Sequence, residues 1–157
     1  MTAQSQNGQH RIVVGVDGSV SSKAALAWAL RQASLTGAVV EAVTAWDFPA
    51  VTGYPVGVGG VDWEGMATQA LSDAIAGVAA GAESAKITSR VMKGNPAQLL
   101  LQESAGADLL VVGSRGHGGF VEALLGSTGQ HCVQHATCPV VVIRDSVTGG
   151  PAEPGRG

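Results

Sequence analysis

At 157 residues the chain has the length of one domain, enough to bury a substantial core without disulfides or metals. Apolar residues make up 45% of it, charged residues 13% and aromatics 4%, so the core must be filled by Ala, Val, Leu and Ile, as between a parallel sheet and its helices. A formal net charge of −3 without a basic run lacks the electrostatic footprint of a nucleic-acid binder, and no apolar run is long enough to cross a bilayer.

Residues 1–9 are polar, with neither a cationic start nor the apolar stretch of a secretory signal; they read as a flexible N-terminus, and a cytoplasmic setting is expected. Arg11-Ile-Val-Val-Gly-Val16 is β-branched and stops at Asp17-Gly18-Ser19, a turn and helix-start signal. Ser19 or Ser21 can cap a helix running to about Leu35, with Leu26, Leu30 and Ala33 on one face and Gly37 as the stop. Val39 to Trp46 reads as a second strand. Residues 47–62 carry two prolines and four glycines without a period, so they read as a long loop, either a lid or binding element or a disordered insertion.

An Ala-rich helix is expected from Trp63 or Glu64 to about Ala80, and a third strand from Ile87 to Met92. Asn95 then stands as a cap before Pro96, the usual start of a helix, which runs through Leu99-Leu-Leu101 to Gly106. Asp108-Leu-Leu-Val-Val-Gly113 is a fourth strand of buried type. A glycine-rich stretch, a helix around Ser127–His135 and a fifth strand, Pro139-Val-Val-Val-Ile-Arg144, complete the domain. The tail, residues 145–157, is rich in Gly and Pro and reads as flexible. Strands alternating with helices over residues 10–144 predict an α/β fold, a three-layer parallel sheet with helices on both faces.

Two strand ends carry the chemistry. The first stops at Asp17, and the fourth opens the stretch Gly113–Thr128. In an open parallel sheet, ligands sit beyond the carboxyl ends of the strands where the strand order reverses. If strands one and four are neighbours there, Asp17 and the glycine stretch face one crevice. Gly113 and Gly116 can let backbone N–H groups approach an anion and can take positive φ. Gly126 and Ser127 precede a helix whose N-terminus offers unpaired donors to phosphate, and the Ser127 and Thr128 hydroxyls add more. Asp17 would bind ribose hydroxyls or a phosphate-bound Mg²⁺. The plain reading of each feature alone is a turn or a helix cap; together they point to a nucleotide site.

The spacing of Gly113, Gly116, Gly126 and Ser127 resembles the ATP-binding signature of the universal stress protein family. Val13-Val-Gly-Val-Asp-Gly-Ser19, Gly94-Asn-Pro96, Asp108 to Gly116 and Cys138-Pro-Val-Val-Val-Ile143 are similar to that family's opening strand, third-helix loop, phosphate strand and closing strand. The resemblance implies a Rossmann-like sheet of five parallel strands in order 3-2-1-4-5, and ATP, with Mg²⁺, held on the glycine loop. By position, Gly15 and Asp17 would border the nucleotide, Ala45 would meet adenine through its backbone, and Val112 would lie beside base or ribose. Arg115 is a loop cation within reach of phosphate. A homodimer through the last strand is also implied. The apolar run Val140–Ile143 supports it, because a bare apolar edge strand invites pairing.

No catalyst stands out, so the expected activity is at most slow ATP hydrolysis in a regulatory, stress-response protein. Two alternatives remain: a binder of AMP or cyclic AMP, and a protein-interaction module with an empty cleft. His131 and His135 stand four apart on one helix with no third ligand at a recognisable spacing, which reads as a surface or dimer-face pair. Cys132 and Cys138 read as free thiols. A Walker loop would need a Lys before Ser127, and a dinucleotide fold would place its glycines after the first strand. The His-x-Gly-His pattern of nucleotidyltransferases fails because Phe120 stands where the second His would be. A phospho-receiver fails because the third strand ends in Met92-Lys93-Gly94 rather than an aspartate.

Overall fold

The computed structural model describes residues 9–47, 61–78, 85–114 and 127–144. The apolar runs form five strands: β1 (Arg11–Gly15), β2 (Val39–Trp46), β3 (Lys86–Lys93), β4 (Leu109–Gly113) and β5 (Val140–Ile143). Every pairing is parallel, and the order across the sheet is β3-β2-β1-β4-β5. The parallel α/β fold and strand order expected above are those observed. The helices are α1 (Val20–Thr36), α2 (Trp63–Val78), α3 (Pro96–Ser104) and α4 (Ser127–His135).

Local chemistry sets the helix ends. Ser19 caps α1, its Oγ accepting the Ser22 N–H at 3.2 Å, and Gly37 ends the helix at φ 82°. Asn95 caps α3, its Oδ1 accepting the Gln98 N–H at 3.0 Å, with Pro96 in the first turn. Gly18, at φ 86°, makes the turn after β1, a conformation that a side chain with a Cβ resists.

Right-handed crossovers then fix which helix covers which face. One core lies under α1 and α2, where Leu26, Leu30, Leu71 and Ala74 meet Ile12, Val14, Val40 and Val111. The other lies under α3 and α4, where Leu100 and Cys132 meet Val13, Val43, Leu110 and Val112. Central strands buried on both faces explain why β1 and β4 are unbroken apolar runs.

The amino ends of the strands are held by charge. Arg11 Nη1 donates to Glu41 Oε1 and to the Glu103 carbonyl, both at 2.8 Å, while Arg90 stands 3.5 Å from both Glu41 and Glu103. Asp108 closes β1 against β4: its Oδ2 accepts the Arg11 N–H at 2.8 Å, and its own N–H donates to the Arg11 carbonyl at 2.9 Å. The Arg11 N–H on its carboxylate, helped by His10 at 3.4 Å, lowers the Asp108 pKa.

At the opposite end of the sheet, α1 is pressed onto β4. A Cβ on Gly113 would stand 2.5 Å from Ser21 Oγ, 2.7 Å from the Ser21 carbonyl carbon and 2.8 Å from the Ser22 nitrogen. A Cβ on Gly15 would meet Leu100 Cδ1 at 2.7 Å, the movable end of a side chain.

These contacts rank two substitutions. Gly113→Ala must push helix backbone away and is expected to cost about 1–3 kcal/mol, whereas Gly15→Ala should lie at or below the bottom of that range. Urea unfolding of the two variants checks the order. A second expectation concerns acid. Because folding lowers the Asp108 pKa, its carboxylate stabilises the native state above the ordinary aspartate range, and the contribution is lost as pH falls through the lowered value. The stability gap between the natural chain and Asp108→Asn should therefore be full near neutrality and shrink below about pH 4, as measured by unfolding at a series of pH values.

Candidate functional site

Between β1 and β4 the strand order reverses. The helix that follows β1, α1, covers one face and the helix that follows β4, α4, covers the other, the arrangement in which an open parallel sheet has its ligand crevice. Gly15 and Asp17 stand on one side of it and Gly113 and Ser114 on the other. Ala45 stands near the end of β2, half-buried and in register with Met92 of β3. Ser127 and Thr128 form the first turn of α4, the former exposed and the latter half-buried, and that turn holds no acidic residue. Arg115, Gly116 and Gly126, together with His117 and Phe120, lie outside the described residues, as do residues 48–60 of the long loop and 145–157 of the tail. The structure thus places the two ends of the glycine-rich stretch.

Asp17 is held by the backbone of Ser19 and the hydroxyl of Ser22. Its Oδ1 accepts the Ser19 N–H at 2.9 Å, and its own N–H donates to Ser22 Oγ at 3.2 Å. Ser22 Oγ in turn donates to the Ser19 carbonyl at 3.1 Å. One residue earlier, the buried Thr44 Oγ1 donates to the Val16 carbonyl at 2.8 Å, tying the end of β1 to β2. Asp17 is therefore a turn residue by geometry and an exposed carboxylate at the crevice by position. Such a group can accept hydroxyl donors or ligate a cation. Among the described residues no three or more His, Cys, Asp or Glu gather to hold a metal.

Two expectations change in detail. Gly113 does not take a positive φ; among the described residues that conformation belongs to Gly18, Gly37, Gly94 and Gly106. What requires glycine at 113 is the first turn of α1 lying against it. Val112 is 3% exposed with its side chain in the core under α3 and α4, so only its backbone is placed to border a ligand.

Nothing in the local pattern marks Ser21, Ser22, Thr44 and Ser114 as a group. All four are buried polar residues around the crevice, and Ser114 fixes the end of β4 by donating its N–H to the Ile143 carbonyl at 2.8 Å. In sequence they look like ordinary helix and strand residues, and only burial singles them out.

The Universal stress protein family model matches residues 9–144. Universal stress protein Rv2623 of Mycobacterium tuberculosis (strain ATCC 25618 / H37Rv) is 40% identical over 143 residues, covering 89% of this chain and 47% of that protein. Universal stress protein Rv2005c of the same strain is 36% identical over 138 residues, covering 86% of this chain and 45% of that protein. The chain thus spans about half the length of the curated relatives it matches. Among solved structures, a universal stress protein in complex with cAMP aligns at a TM-score of 0.65 and 28% identity, covering 88% of this chain and 98% of that one. With the family's sequence pattern running from end to end of a sheet in the order 3-2-1-4-5, this chain belongs to the universal stress protein family.

Proposed function

We propose that this chain is a regulatory protein that binds ATP, with Mg²⁺, in the crevice between β1 and β4. The observation that carries the reading is the placement of Gly15 and Asp17 beside Gly113 at the reversal of strand order, with α4 starting at Ser127. Backbone N–H groups of the glycine-rich stretch and the first turn of α4, with the Ser127 and Thr128 hydroxyls, hold the phosphates. Arg115 adds positive charge there, and Gly116 and Gly126 allow close backbone approach. Asp17 takes ribose hydroxyls or the phosphate-bound Mg²⁺, and Ala45 and Val112 border adenine and ribose through backbone atoms. Hydrolysis is slow at most, since the sequence offers no evident catalyst. The setting is the cytoplasm, with no nucleic-acid partner.

A second reading has its own support. The related structure at 28% identity is described with cAMP, and a monophosphate would use only part of the glycine-rich stretch. The third, an interaction module with an empty cleft, is what remains if no nucleotide binds.

The two edges of the sheet favour a homodimer. β3 carries Lys86, Arg90 and Lys93, charges that deter strand pairing, whereas β5 is Val140-Val-Val-Ile143 throughout. Pairing β5 with its copy across a two-fold axis would satisfy the edge and cover its half-buried side chains.

Calorimetric titration with ATP, ADP, AMP and cyclic AMP, with and without Mg²⁺, separates the readings. ATP is expected to bind most tightly; a preference for cyclic AMP selects the second reading, and no heat with any nucleotide selects the third. Gly116→Val should abolish ATP binding, and Ser127→Ala should weaken it by about 0.5–1.5 kcal/mol, one neutral hydrogen bond. In sedimentation the chain should run as a dimer at micromolar concentration, and a monomer there would count against the β5 interface.

A further inference from the structure

The exposed face of α4 carries a feature that nucleotide binding does not use. His131 and His135, one turn apart, have ring centroids 4.6 Å apart with planes tilted by 43°, and both residues are exposed. Side chains four apart on a helix are neighbours, so the backbone already supplies the approach. We propose that this pair is a two-imidazole site for a divalent transition ion of the copper–nickel type, with water in the remaining positions.

The separation of the rings supports it. An imidazole nitrogen binds such ions at about 2.0 Å, and the ring centre lies roughly 1.2 Å farther along the same line. Two imidazoles at a right angle on one ion therefore have centroids about 4.5 Å apart, against about 5.2 Å at a tetrahedral angle. The observed 4.6 Å keeps the two rings within reach of one ion, and small rotations of these exposed side chains suffice to aim a nitrogen of each at it. Imidazole is a good ligand for these ions, and the order of divalent affinities rises through nickel to copper.

Electrostatics add a second, independent argument. His135 lies in the last turn of α4, where the carbonyl end of the helix dipole attracts a cation. The helix, Ser-Thr-Gly-Gln-His-Cys-Val-Gln-His, carries no Lys or Arg to repel one. No third His, Cys, Asp or Glu joins the pair among the described residues, which leaves the site open to water or to an incoming ligand. The site stands or falls apart from the nucleotide reading.

The test uses Ni²⁺ calorimetry on the whole chain. One ion per chain is expected, and His131→Ala and His135→Ala should each weaken binding by about tenfold or more, because the second bond is then no longer intramolecular. The double variant His135→Ala/Val133→His keeps the number of histidines but puts the second ring about 200° round the helix. It should bind as weakly as the single variants. Equal affinity for the natural chain and this double variant would overturn the site. In the unaltered protein, a small amount of Cu²⁺ should broaden the imidazole NMR signals of His131 and His135 before those of His10 and His117. Uniform broadening of all four would overturn it as well.

Discussion

Contact between the first turn of α1 and the end of β4 is the constraint on which the rest of the molecule depends. The helix that follows β1 must cross back over the sheet, and it does so with Ser21 and Ser22 against Gly113. No side chain fits between them. That closeness brings α1 down onto β4, lets Leu26 and Leu30 reach the sheet, and fixes the turn that carries Asp17 at the crevice. A glycine that sequence reading assigns to ligand approach is thus first a packing glycine. The two roles are compatible, because a helix start held tightly beside a strand end is also a rigid wall for a ligand.

A polarity of purpose runs along the strands. Their amino ends are tied by Arg11, Glu41, Arg90, Glu103 and Asp108, a set of charges that pair with one another and with backbone carbonyls. The carboxyl ends of β1 and β4 instead carry small residues, Gly15, Gly113 and Ser114, with the Thr44 hydroxyl of β2 beside them. Ionic closure at one end leaves the other free to be shaped by hydrogen bonds from Thr44, Ser19 and Ser22, which orient backbone rather than fill space. Backbone groups so fixed can meet a polar ligand without reorganising, which is the economy of binding phosphate by main chain.

Much of this was legible in the residues. The apolar runs ending at Asp17 and Gly113, the caps Ser19 and Asn95 and the stop at Gly37 all fall where their chemistry requires. They are local signals, set by residues a few positions apart. The hydroxyls of Ser22 and Thr44 were not legible, because a serine in a helix and a threonine in a strand are unremarkable until burial forces them to find partners. Nor was it legible that Val112 offers only backbone at the strand end, because alternation along β4 sends its side chain into the core.

The sequence by itself determined the elements, their parallel arrangement and the family, since hydrophobic period, capping and motif spacing are properties of the linear chain. It also determined that glycine stands at 113, but not why. Tertiary structure alone decided that β1 and β4 are neighbours in space, that Gly113 is closed by α1 rather than opened by a positive φ, and that Asp17 is held by the Ser19 backbone and the Ser22 hydroxyl. It also decided the rotamers that set the His131 and His135 rings 4.6 Å apart, centroid to centroid. Each of these depends on where one element lies against another or on which rotamer a side chain takes, and neither is encoded in spacing along the chain.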